Sequence, residues 1–161
     1  MLSIMTYSLQ KMDIRFQLAT PSKKSKYTQK ARPTTKDNTL SPTQQKGLAY
    51  EDDAIEFLTN KGLILLYKNL SCPLGELDLV MRDQQTLVFV EVRFRQTTAF
   101  GGAIYSLSKS KLNRFKRTAE YFLPFISKQH FAHQPVYCRF DAICFNGETN
   151  EKIWLKNIIN S

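Results

Sequence analysis

Gly75-Glu76-Leu77-Asp78-Leu79-Val80, followed across a short polar stretch by Leu87-Val88-Phe89-Val90-Glu91-Val92-Arg93, decides how this chain folds. Apolar residues at successive positions bury both faces of a strand, as happens in a sheet covered on two sides. Asp78 and Glu91 interrupt that pattern. A lone carboxylate in such a place is costly unless it is paired, hydrogen-bonded or metal-bound. The intervening Arg82-Asp83-Gln84-Gln85-Thr86 is a hairpin signal. A turn about Gln84 and Gln85 sets Asp78 opposite Glu91. Strand alternation then puts Glu91, Arg93 and Arg95 on one face, and Glu76 and Asp78 on one face of the neighbouring strand.

Upstream, Ser41-Pro42-Thr43-Gln44 reads as a helix start: Ser as cap, Pro at the first helical position, Gln three residues after the cap. The helix runs to about Lys61, and Gly62 supplies the stop. Leu48, Ile55 and Leu58 form its apolar stripe, with Ala54 beside them. Glu51 falls within that stripe, where a carboxylate needs a reason, whereas Asp52, Asp53 and Glu56 can face solvent. Residues 63–70 read as a strand, followed by a turn at Ser71-Cys72-Pro73-Leu74-Gly75. The two decisive strands span 76–81 and 87–94.

Downstream, Gln96-Thr97-Thr98-Ala99-Phe100-Gly101-Gly102 reads as a flexible loop. A second helix over about 108–129 carries Leu112, Phe115, Ala119, Phe122, Leu123 and Ile126 on one stripe. Pro124 should kink or loosen its last turns. Strands at 136–145 and 152–155 flank a turn at Asn146-Gly147-Glu148. The order α-β-β-β-α-β-β predicts an α/β domain with a mixed sheet and a helix on each side.

Its 161 residues allow one domain with a sizeable core. The charge of +9 is unevenly placed: residues 1–45 hold eight Lys/Arg against two Asp/Glu, and residues 46–161 hold fifteen against twelve. Residues 20–40 are rich in Lys, Ser, Thr and Pro, too polar to offset their ordering entropy, and read as disordered. The division is a basic extension over 1–40 and a folded domain over 41–161. A basic chain favours polyanions, either nucleic acid or acidic membranes. No apolar run reaches the roughly 18 residues of a membrane span. The first twenty residues lack the apolar core of a secretory signal; they are acid-poor with Lys11 and Arg15, which leaves a transit peptide as an alternative to a frayed extension. Cys72, Cys138 and Cys144 show no C-x-x-C pair, and their odd number suits a reducing compartment, hence the cytoplasm. Cys138 and Cys144 fall on one face of their strand, as small apolar residues.

Hydrolysing a phosphodiester takes an electrophile on the phosphoryl oxygens, an activated water and positive charge facing the transition state. Mg²⁺ or Mn²⁺ on one or two carboxylates supplies the first two, and a nearby cation the third. Asp78 and Glu91 suit the metal, with the backbone carbonyl of Val92 as a third ligand. Arg93 suits the scissile phosphate, and Glu51 an outer or water-orienting position. Cross-strand pairing of the two acids with Arg93 and Arg95 would produce the same pattern with no metal at all. Lys109, Lys111, Arg114 and Arg117, at the start of the second helix, are candidate phosphate contacts or simply its solvated face. Asp141 reads as a further acid near the site or as a structural partner of the residues around Arg139. His130 and His133 read as surface residues.

Lys46-Gly47-Leu48-Ala49-Tyr50-Glu51, Gly75-Glu76-Leu77-Asp78-Leu79, Phe89-Val90-Glu91-Val92-Arg93-Phe94-Arg95, Phe100-Gly101 and Arg139-Phe140-Asp141 together resemble the successive motifs of the YraN family, over about residues 44–146. That bacterial family is uncharacterised. It is similar to Holliday-junction resolvases of the PD-(D/E)xK superfamily. The resemblance implies a restriction-endonuclease-like fold, metal-dependent cleavage of structured DNA and pairing into a homodimer, although no dimer seam shows in the residues. It places the metal-binding acid at Asp78, the acid of the E-x-K motif at Glu91 and the helix-borne acid at Glu51. Two positions depart from the pattern. Arg93 replaces the motif lysine, and an arginine stays charged where a lysine can release its proton; Tyr50 stands where a small residue is common. A nucleic-acid-binding module without efficient catalysis, and a protein-interaction scaffold with structural acids, are the alternative readings.

Overall fold

The computed structural model describes residues 41–95, 108–132, 136–147, 149 and 151–159. The basic extension, the 96–102 loop with its Phe100-Gly101 motif, His133 and the side chain of Arg95 lie outside the described residues. The elements are α1 (Pro42–Asn60), β1 (Ile64–Cys72), β2 (Gly75–Asp83), β3 (Thr86–Arg95), α2 (Lys109–His130), β4 (Tyr137–Asn146) and β5 (Lys152–Leu155). This is the expected order of two helices and five strands.

One sheet runs β1-β2-β3-β4-β5 in chain order. Only β3 and β4 pair in parallel; α2 is the connection between them, as a parallel pair requires. The other pairs are antiparallel. Alternate residues of the inner strands enter different layers. Val80, Leu87, Phe89 and Phe140 pack with Phe115, Ala119, Phe122 and Ile126 of α2. Leu79, Met81, Val88, Val90 and Ile143 pack with Ala54 and Leu58 of α1. A helix thus covers each face. Burying a side chain as large as Phe122 or Ile126 stabilises by about 1.5–3 kcal/mol, so these layers dominate the fold's stability.

The caps follow the sequence. Gln45 N–H donates to the Ser41 carbonyl at 3.0 Å, and Gly62 closes α1 at φ +91°. The Ser108 side chain accepts from Lys111 N–H at 3.3 Å, capping α2. Pro124 lies inside α2, yet the helix continues to His130. Leu123 and Ile126, on either side of it, are both anchored in the same core layer, and that packing holds the turn that the proline weakens.

The β1–β2 turn presses against α2. A Cβ on Gly75 would meet Thr118 Oγ1 at 2.9 Å, and Gly75 has φ +153°, so both space and backbone call for glycine. The three cysteines form no disulfide. Cys138 packs against the α2-side core, and burial pushes its thiol up to about 12.

Candidate active site

The hairpin turns where the polar stretch suggested, with Asp83 opposite Thr86 and Gln84 at φ +54°. Its ladder runs back to Leu79 opposite Val90 and stops there. One step further along the same register stand Asp78 and Glu91. The Val92 N–H donates to Asp78 Oδ2 at 2.8 Å, so the acid's side chain takes the backbone donor just beyond the ladder. Strand geometry is disturbed on the other side too. Leu77 packs in the α2 layer and Leu79 in the α1 layer, although residues two apart ordinarily share a face. On β1, Asn69 adopts φ +54°, a conformation that Asn tolerates better than most residues.

This break in the sheet explains how groups from both helices reach Asp78. Its carboxyl is pushed up from 3.8 to about 7, first by burial, then by the charge of Glu91 and, more weakly, of Glu51. The Val92 hydrogen bond and the Lys111 charge act in the opposite direction. Asp78 thus stands beside two other acids with too little positive charge to offset them.

Glu91 is buried and carries its own cations. Lys111 Nζ lies 2.7 Å from its Oε1, and Arg93 Nη1 lies 3.5 Å from the same oxygen. The arginine contact of Glu91 is the longer of the two and lies within β3, two residues along the same strand, so it is not the cross-strand pairing expected. The shorter comes from α2.

Glu51 is held from β1. Asn69 Nδ2 donates to its Oε2 at 2.9 Å, and Lys68 Nζ stands 3.4 Å from the same oxygen while bridging to Asp52 at 2.6 Å. These partners answer why a carboxylate sits on the core-facing stripe of α1. Among the described residues, no three His, Cys, Asp or Glu side chains are grouped so that they could hold a metal ion. Asp78 and Glu91 form a pair, and Glu51 acts on it through its charge. Two carboxylates suit Mg²⁺, which takes one or two of them and keeps most of its waters, better than an ion needing a full protein cage.

On α2, Lys109, Arg114 and Arg117 are exposed. Arg114 and Arg117 line an open cleft of about 640 Å³ with Ser110, Asn113, Pro73 and Leu74. Asp141 proves structural. It is wholly buried, bound by Arg139 Nε at 3.0 Å, Trp154 Nε1 at 3.0 Å and Asn157 N–H at 2.9 Å. Arg139 Nη1 continues the network to Asp83 at 3.0 Å. His130, expected at the surface, is half-buried and meets the Tyr67 hydroxyl at 2.9 Å; burial, helped by Arg82, lowers its pKa.

Lys68 and Asn69 were missed by sequence reasoning. The available signal was two polar residues together in an otherwise apolar strand. Lys111 was read as a phosphate contact or as part of the helix's solvated face, since nothing local ties the first turn of a helix to a strand 20 residues upstream.

A family model described as Uncharacterised protein family UPF0102 matches residues 50–145 of the chain, a span that includes Glu51, Asp78, Glu91 and Lys111. Curated relatives agree. A UPF0102 protein of Bordetella petrii is 44% identical over 115 residues, 71% of this chain and 70% of that protein. One from Psychromonas ingrahamii is 38% identical over 118 residues, 73% of this chain and 92% of that protein. Another, from Neisseria gonorrhoeae, is 40% identical over 114 residues, 71% and 94% of the two chains.

Proposed function

The chain belongs to the uncharacterised protein family UPF0102, and from its acid pair we propose that it is a metal-dependent endonuclease, resolvase-like, that hydrolyses phosphodiester bonds in structured DNA. The observation that carries this reading is Asp78: a half-buried carboxyl raised to about 7 beside buried Glu91, at the point where the β2–β3 ladder ends. Apposed acids with little access to water lose that strain when a divalent cation joins them, and perturbed carboxylates of this kind favour functional positions. A bound Mg²⁺ or Mn²⁺ would polarise the phosphoryl oxygens and make water a stronger nucleophile.

The residues divide the remaining work. Asp78 and Glu91, with the Val92 carbonyl, would hold the cation. Arg93 turns positive charge toward the scissile phosphate, a fixed charge suited to stabilising it and unsuited to moving protons. Glu51, fastened by Lys68 and Asn69, orients water at the edge of the pair. Exposed Arg114 and Arg117 contact backbone phosphates along the cleft, and Lys109 and Arg95 are further phosphate contacts, an interaction that weakens steeply with salt. Pairing of two copies would present two acid pairs to the two strands of a junction.

Purified protein incubated with a four-way junction and with linear duplex, in Mg²⁺ or Mn²⁺ and then in EDTA, tests this. Cleavage of the junction is expected, stopped by chelation. Removing one electrostatic contributor to a transition state costs about 10²–10³ in rate, and Asp78→Asn and Glu91→Gln should each lose at least that. Metal-dependent cutting that survives both substitutions would refute the site. Arg93→Lys is expected to cut faster.

Arg93, which stays charged and cannot release a proton where the resemblance implies a lysine, favours a second reading, a nucleic-acid-binding module without efficient catalysis. Salt-sensitive binding of the junction with no cleavage in either metal would establish it. No salt-sensitive binding at all would leave the protein-interaction scaffold.

A further inference from the structure

The acid pair already has a cation. Lys111 Nζ sits 2.7 Å from Glu91 Oε1, and its charge is felt at Asp78 as well. One ammonium therefore contacts Glu91 directly and acts on Asp78 through its charge, at the two carboxylates that the proposed function assigns to a divalent ion. Arg93 is not its equal, standing 3.5 Å from the same oxygen, two residues along the same strand.

Lys111 is also built to leave. It lies in the first turn of α2 on a flexible four-carbon stem, and its side chain remains 29% exposed. Its ammonium can reach water, but buried Glu91 would be left with a costly uncompensated charge, so the lysine leaves readily only as another cation takes its place. Ser110, Arg114 and Arg117, close by on the helix, line the open cleft, so a displaced ammonium stays beside groups suited to phosphate.

We propose that Lys111 and a divalent cation are alternative partners of the Asp78–Glu91 pair: the lysine holds the acids while the metal is absent and is displaced toward substrate phosphate when the metal binds. This rests on the pair being the metal site. It also supplies from a helix the lysine that strand position 93 lacks, so Lys111 contacts the phosphate only in the metal-loaded state.

Titrating Mn²⁺ alone into the full-length protein, without nucleic acid, separates the possibilities by calorimetry. A charge within about 4–6 Å shifts the affinity of a neighbouring carboxylate for a cation by one to three decades, so Lys111→Met should bind Mn²⁺ at least about tenfold more tightly than wild type. Lys111→Arg should restore the wild-type value. Lys116→Met, on the same helix, should change affinity by less than about threefold, because only its distant field is lost. Each variant's thermal midpoint serves as the folding control.

Equal or weaker binding by Lys111→Met would overturn the exchange while leaving the metal site standing. Binding by none of the proteins, or binding unaffected by Glu91→Gln, would overturn the metal site and the exchange together. Tight binding by Lys111→Met where wild type binds poorly would support the exchange most directly.

Discussion

At the scale of single residues, the unusual quantity is the proton on Asp78. Its ordinary pKa is 3.8 and its folded value about 7, so the native protein retains a proton that the unfolded chain releases between those limits. Stability therefore falls as pH rises through that window, and the full cost is present above pH 7. Asn at this position keeps an acceptor for the Val92 N–H and never ionises. In EDTA, Asp78→Asn should be more stable than wild type by about 1–3 kcal/mol at pH 8, a difference that shrinks toward pH 4. Chemical denaturation at the two pH values measures it. A variant less stable at pH 8 would mean that the Lys111 and Val92 contacts outweigh burial and the neighbouring acids.

Elements decide how much of this could be read beforehand. The hairpin register followed from one local turn, because a loop centred on Gln84 and Gln85 fixes every pair behind it and aligns Asp78 with Glu91. The helix limits were equally local, written in Ser41, Gly62 and Ser108. Strand ends were placed short: β2 reaches Asp83 and β3 begins at Thr86, since polar residues beside a tight turn still pair through their backbones. Glu51 was flagged by its position on an apolar stripe, but its partners Lys68 and Asn69 depend on which strand lies under α1, and that is a property of the sheet. The same holds for Lys111. The break in alternation at Asp78 could not be anticipated, because a strand pattern assumes regular pleating and Asn69 departs from it.

That irregular end of the sheet is held by the β1–β2 turn, and the turn by its contact with α2. Gly75→Ala should lower stability by about 1–3 kcal/mol through overpacking against Thr118, with backbone strain added. Adding Thr118→Ala removes the atom at 2.9 Å and should recover part of the loss, leaving the strain of φ +153°. Thermal midpoints of the two single variants and the double variant give the coupling directly. Additive losses would show that the close approach is relieved without cost and that the backbone alone demands glycine.

Across the whole molecule, the charge is split between two places. The first 45 residues carry six of the nine excess positive charges, and the helix presenting the cleft carries Lys109, Lys111, Arg114, Lys116 and Arg117 in its opening turns. On the proposed function these do different work. The charges of the first 45 residues add to the attraction of the whole chain for a polyanion, whereas those on α2 are placed by a helix that also lines the acid pair. Each neutralised phosphate contributes about 0.9 to the slope of log affinity against log salt on duplex DNA. Deleting residues 1–40 should therefore flatten that slope while leaving the ratio of junction to duplex affinity unchanged. Arg114→Ala with Arg117→Ala, in the full chain, should flatten it by about two and reduce the ratio as well. Fluorescence anisotropy between 50 and 200 mM salt, roughly the range over which such contacts are lost, distinguishes them. A ratio that collapses on removing the extension would move recognition of DNA structure from the helix to the tail.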